Sequence, residues 1–222
     1  MKVTISSGHG KFVSGASSII DEVTEARKVV DRVVDILKEL GENPNVYHDN
    51  TSKTKTDNVN NIVKQHNATS RDKDISIHFN ASKYTKNAVG VEALYKTSGN
   101  KELAASLSKA ISVASGLKDR GAKQRDNLGF LNNTNKGAVL IEICFVDSEA
   151  DVKIYREKFE DICIAIASAI SGKSYKKVTN TENKKTYFRV IAGSYGERAN
   201  AEAMKNRLME LGIPAFLEAV VK

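Results

Sequence analysis

Short apolar runs alternate along this chain with longer stretches in which apolar positions recur every three or four residues. The first run, "KVTIS", reads as a buried strand. A Gly/Ser loop follows, then "DEVTEARKVVDRVVDILKELG". There Ala26, Val29, Val30, Val33, Leu37 and Leu40 keep helical spacing, and Gly41 stops the helix. "NPNVYHD" is a short strand after Pro44, and "TDNVNNIVKQHN" a helix with Val59, Ile62 and Val63 on one face. "DISIHFNAS" and "GVEALYK" read as strands, "NKELAASLSKAISVASG" as a helix and "GAVLIEICFVD" as a strongly apolar strand. "EADVKIYREKFEDICIAIASAISG" reads as one closing helix with Phe159, Ile162, Ile166 and Ile170 facing in. Strands that alternate with helices predict an α/β fold: a mostly parallel twisted sheet flanked by helices on both faces. In such folds sites gather at the carboxyl ends of the strands.

Beyond Gly172 the pattern fades. "KSYKKVTNTENKKT" is rich in Lys, Asn and Thr and reads as a solvated linker. "YFRVIAGSY", "ERANAEAMKNRLMELG" and "IPAFLEAVV" then predict a strand, a helix and a strand. The expected division is a main domain over 1–174, a linker over 175–185 and a small βαβ unit over 186–222. That unit is too small to build a good core alone.

Composition changes this picture little. The 222 residues carry a net charge of +7, which suits an anionic partner and equally suits simple solubility. The basic residues are scattered and aromatics make up only 6%, so no stacking platform for nucleic acid is visible. No apolar run is long enough to insert into a membrane. Cys144 and Cys163 lie in apolar runs without a CxxC pattern, which predicts buried free thiols. "MKVTISSGHG" enters a strand directly, without the apolar region and cleavage site of a signal peptide.

Three strand ends carry ligand-type residues. "VTISSGHG" presents His9, whose two glycines remove side-chain cover. "DISIHFNAS" presents His78, and "AVLIEICF" presents Glu142. Glu22 opens the first long helix. Two histidines, a carboxylate and an open position make the donor set of a catalytic zinc site. A further carboxylate would serve as general base. Each residue alone has a plainer reading: His9 and His78 as turn or structural histidines, Glu22 as an acid favouring a helix N-terminus. Glu142 is hardest to explain that way, because an unpaired acid in "VLIEICF" is costly to bury. His66 follows Ile62 and Val63 on a helix's apolar flank and reads as a packed histidine. His48 follows a short strand and is a minor candidate for substrate contact.

The pieces "SSGHG", "DEVTEARKVVDRVVDILKELG", "DISIHFNAS", "GVEALYK" and "RGAKQRDNLGFLNNTNKGAVLIEICFVD" together resemble the zinc-dependent N-acetylmuramoyl-L-alanine amidases of the amidase-3 type, over residues 1 to about 172. The likeness is especially to phage and prophage endolysins of Gram-positive hosts. The resemblance implies Zn2+ held by His9, Glu22 and His78, with Glu142 as catalytic acid and base. It selects Glu22 over Glu25 by the distance to Gly41, with Glu25 as the fallback. The usual opening "DPGHGG" is "SSGHGK" here, a change in the turn and not in the ligand. Asn80 and the "RGAK" loop, with Arg120 and Lys123, are candidates for contacting an acidic stem peptide, with a structural role as the equal alternative.

The segment 186–222 resembles one half of a SPOR repeat, a module that binds peptide-stripped peptidoglycan glycan. Two chains pairing their halves into a homodimer is the accompanying expectation. The resemblance implies cleavage of the amide between the muramoyl lactyl group and L-alanine of peptidoglycan. The rivals are a stem-peptide peptidase of related zinc chemistry and a non-catalytic wall-binding protein. With no signal peptide read, the expected setting is synthesis in the cytoplasm and action on the wall after holin-type release or cell lysis.

Overall fold

The computed structural model describes residues 2–175, 193–213 and 215–217. The chain divides into two compact units, Met1–Lys176 and Lys177–Lys222. In the first, the elements run β1 (Val3–Ser7), α1 (Glu22–Glu39), β2 (Asn45–Tyr47), α2 (Lys55–Asn67), β3 (Lys73–Asn80) and β4 (Val91–Tyr95). A single 3-10 turn at Ser98–Asn100 leads into α3 (Lys101–Ser115). Then follow β5 (Asp119–Gln124), α4 (Gly129–Asn133), β6 (Gly137–Phe145), α5 (Glu149–Glu157) and α6 (Phe159–Ser171). The sheet order is β2-β1-β3-β6-β4-β5, and every pairing is parallel except β4 with β6. The mostly parallel α/β sheet is as expected.

The two faces of the sheet differ in chemistry. On one, Val3, Ile5, Ile75, Ile77, Phe79, Val139, Ile141 and Ile143 are sealed in the main core with residues of α1, α3 and α6. The alternate positions of the same strands face the other way. There α2 and α4 cover a smaller apolar cluster of Ile62, Leu94, Phe130, Leu131, Ala138 and Leu140. Polar residues fill the rest: Thr4, Ser6, Asp74, Ser76 and Glu92 are buried on these strands. Asp74 is matched there by His66 Nδ1 at 2.7 Å and by Arg71 Nε and Nη2 at 2.5 and 2.9 Å. His66 Nε2 lies 2.9 Å from Ser6 Oγ. His66 is therefore a packed histidine, as its helical position suggested, and its ring meets Phe130 edge-on.

Two elements depart from the sequence expectation. "DRGAKQ" is strand β5, not a loop. It lies at the sheet edge and carries charges, so it lacks the apolar alternation that marks a strand. The closing helix is two helices separated at Lys158, whose backbone (φ −115°, ψ 17°) leaves the helical region. Just before the break Tyr155 turns into the core, against Phe79 and Phe159, and its hydroxyl donates to Glu25. Both halves are apolar on one side, so spacing alone reads through the break.

In the second unit, α7 (Arg198–Glu210) matches the expected helix. The strand expected over 187–195 falls largely outside the described residues, as do the linker over 176–185 and the last residues of the chain. Among the described residues no helix is long and apolar enough to cross a membrane. Cys144 and Cys163 are buried free thiols.

Candidate metal centre

Helix α1 starts where its cap places it. Asp21 is extended and accepts from the Thr24 amide, so Glu22 is the first helical residue. That position carries its side chain back over the end of β3. Glu22 Oε1 accepts from the Phe79 amide at 3.0 Å and lies 3.0 Å from His78 Nδ1. Oε2 accepts from the Ala16 amide at 2.6 Å and lies 3.4 Å from His9 Nε2. His9, Glu22 and His78 each offer a donor atom within 4.8 Å of the others. Glu25, the fallback, points elsewhere, to Lys28 Nζ at 2.7 Å and the Tyr155 hydroxyl at 2.8 Å.

The glycines around His9 do more than uncover it. A Cβ on Gly8 would lie 1.9 Å from the His78 ring, and one on Gly15 would lie 2.4 Å from Glu22 Oε2 and 2.9 Å from His9 Cδ2. The two histidine rings and the carboxylate are thus seated against bare backbone. Gly10 packs against Asp49 and Asn58. Asp49 accepts from the Thr51 and Ser52 amides and from Asn58 Nδ2, and its carbonyl holds the Lys11 amide. This buried acid ties down the loop that follows His9, a role with no signature in the local pattern.

The donor set fits a zinc-type ion. Two imidazoles and one carboxylate are typical ligands, and His9 Nδ1 is buried without a hydrogen-bond partner. Burial lowers the His9 pKa despite the nearby Glu22 charge, which favours the neutral ring that a metal ligand needs. Burial alone would raise the Glu22 carboxyl, but His78 and His9 outweigh it and hold it ionised. For His78, burial lowers the pKa and the Glu22 hydrogen bond with the Glu142 charge more than restores it.

Glu142 is the register partner of His78 across β3 and β6, and of Glu92 across β6 and β4. Its Oε2 is sealed from solvent and has no hydrogen-bond partner among the described residues. Burial pushes the carboxyl up to about 7; His78 pulls it back, and the charges of Glu22 and Glu92 add to the rise.

Asn80, Arg120 and Lys123 also converge, on a residue that was not singled out. Glu92 Oε2 accepts from Arg120 Nε and from Lys123 Nζ, both at 2.6 Å, and Oε1 from Asn80 Nδ2 at 3.3 Å. The signal was available: "GVEALYK" buries an acid in an apolar strand as "VLIEICF" does. His48 is engaged at both ring nitrogens, by Ser7 Oγ at 2.9 Å and Asp31 Oδ1 at 3.0 Å.

A two-His, one-Glu cluster beside a protonatable acid, at the carboxyl ends of a mostly parallel sheet, defines an α/β protein with the donor set of a metal-dependent hydrolase. The chain belongs to the Amidase_3 family, N-acetylmuramoyl-L-alanine amidase, which matches residues 3–172. The SPOR domain family matches residues 141–217, overlapping the end of the first match. That span is longer than the half-unit read from the sequence, and nothing supports pairing of two chains through it.

An uncharacterized protein of Clostridium perfringens (strain 13 / Type A) is 33% identical over 188 residues, 83% of this chain and 56% of its own. A second protein, also from Clostridium perfringens, is 33% identical over 210 residues, 84% of this chain and 59% of its own. The chain thus spans a little over half the length of the curated relatives it matches. Among solved structures, the catalytic domain of the CD27L endolysin targeting Clostridia difficile superposes with a TM-score of 0.72 at 25% identity, over 79% of this chain and 99% of that one. An N-acetylmuramoyl-L-alanine amidase from Clostridium difficile 630 gives 0.67 at 25% identity, over 77% and 95%.

Proposed function

We propose that this chain hydrolyses the amide joining the lactyl group of N-acetylmuramic acid to L-alanine in bacterial peptidoglycan. In this reading zinc is held by His9, Glu22 and His78, and Glu142 carries the proton. The observation that carries it is the Glu142 carboxyl, with one oxygen sealed and unpartnered on the strand beside His78. Membership of the amidase family and the likeness to an endolysin catalytic domain support the substrate class. In this reading the protein reaches the wall after holin-type release or cell lysis.

The bound ion would supply Lewis acidity, polarising a carbonyl oxygen and lowering the pKa of a water to roughly 7. The chain's own residues do the rest. Glu22, fixed by the Ala16 and Phe79 amides, orients both imidazoles. The Glu142 carboxylate takes a proton from the attacking water and returns it to the nitrogen of the departing L-alanine. A carboxyl near pH 7 works in both directions at neutral pH. Glu142→Gln keeps the shape and removes the proton carrier. Wall lysis should fall by ~100- to 10,000-fold, while zinc content measured by mass spectrometry stays unchanged. Lysis by Glu142→Gln at the wild-type rate contradicts the assignment.

A further inference from the structure

Three charged side chains beside Glu142 take no part in holding an ion or moving the proton. Glu92 is buried, only 4% exposed, and its carboxylate carries two cations, Arg120 and Lys123. Residues 120 and 123 of a regular strand would face opposite sides of the sheet. Here β5 is bulged. Val91 pairs with Asp119 and Ala93 with Ala122, so Arg120 and Gly121 together oppose Glu92. Gly121 takes φ +74°, a conformation that favours glycine. The extra residue re-aims the strand and brings both cations to one carboxylate. A second irregularity follows Glu142, where His78 pairs with Glu142 but Asn80 with Phe145. The Phe145 ring lies beneath the Arg120 guanidinium at 5.1 Å.

One carboxylate faces two cations, so the cluster keeps one positive charge. Arg120 uses Nε alone; its Nη atoms make no hydrogen bond to the described residues. Both cationic side chains are 30% exposed. Neutralising Glu92 needs one cation, and the second is left for a ligand. We propose that Arg120 and Lys123, held by Glu92 on the bulge, form a carboxylate subsite of the cleft. It takes the free α-carboxylate of the second stem residue, a γ-linked D-glutamate. This rests on the amidase reading, which sets the scissile bond at Glu142. Neighbouring strands lie about 4.8 Å apart, and one residue of an extended chain spans about 3.5 Å. The strand next to Glu142 is β4, where Glu92 holds the ends of Arg120 and Lys123 reaching over from β5, so a carboxylate one residue beyond the scissile amide meets the two cations there. The α-amide of the same residue keeps the shape and loses the charge.

The test is calorimetric binding of L-alanyl-γ-D-glutamate and of its α-amide to the zinc-loaded full chain. The acid is expected to bind about tenfold tighter, the scale of a charge-assisted hydrogen-bonded pair. Lys123→Met and Arg120→Gln each leave Glu92 one cationic partner, and thermal melting checks that each variant folds. In each, the preference should fall to threefold or less, with binding of the amide unchanged. Equal binding of acid and amide by the wild type, or a full preference kept by both variants, overturns the subsite. Release of L-alanine amines from whole peptidoglycan is followed on the same samples. Cleavage without preference overturns the subsite alone; preference without cleavage overturns the amidase reading and leaves the carboxylate site standing.

Discussion

A Cβ at residue 8 would lie 1.9 Å from the His78 ring, so the smallest substitution in the "GHG" turn reaches the metal cluster. Gly8→Ala should displace His78 and weaken zinc binding by about 10- to 100-fold, the scale seen when a ligand's support is lost. Competition with a coloured chelator measures this, and unchanged affinity contradicts the seating. Three residues of the candidate site were legible for one reason: His9, His78 and Glu142 are an imidazole or acid at or near the end of an apolar strand. Glu22 also has a local use as an acid at a helix N-terminus, and only the family resemblance set it apart from Glu25. Glu92 met the same criterion and was passed over because no metal role called for it. Asp49 left no trace, since its value lies in amides and an asparagine that the chain brings together only when folded.

At the scale of elements, the polar face of the sheet sets the acid limit of the fold. For Asp49, burial alone would raise the carboxyl, but hydrogen bonds from Ser52, Asn58 and Thr51 hold it well below the usual aspartate value of 3.8. For Asp74, burial is likewise outweighed, by His66 and Arg71. A folded-state pKa below the unfolded one means that the folded chain binds fewer protons at these sites. Their stabilisation is complete above the unfolded value near 3.8 and is lost as pH falls through the lower folded values. The thermal midpoint should therefore drop steeply below about pH 4, and Asp49→Asn should flatten that drop while lowering the midpoint at pH 7. A midpoint independent of pH from 5 to 2 contradicts this. The strands that periodicity marked over residues 1–174 are all present. β5 was not marked, because an edge strand carrying charge and a glycine bulge has no apolar rhythm to read. The break at Lys158 was invisible because the chain stays apolar on both sides of it.

At the scale of the whole molecule, the chain divides into two compact units between residues 176 and 177. The composition shift after Gly172 led to an expected linker over 175–185, which beyond Tyr175 lies outside the described residues. All four site residues belong to the first unit. A chain ending at Lys176 should cleave a soluble muramoyl-peptide at a rate within about twofold of the full chain and bind peptide-stripped glycan more weakly in a pull-down. Equal glycan binding by both chains would remove the role given to the SPOR match. Nothing at this scale identifies the bond that is cut. That is settled by the amine that appears when purified Gram-positive peptidoglycan is digested by the zinc-loaded full chain, with Glu142→Gln alongside. New N-terminal L-alanine on otherwise intact stem peptides, absent with Glu142→Gln, is the predicted result. A new amine inside the stem peptide, or L-alanine released equally by both proteins, contradicts the account.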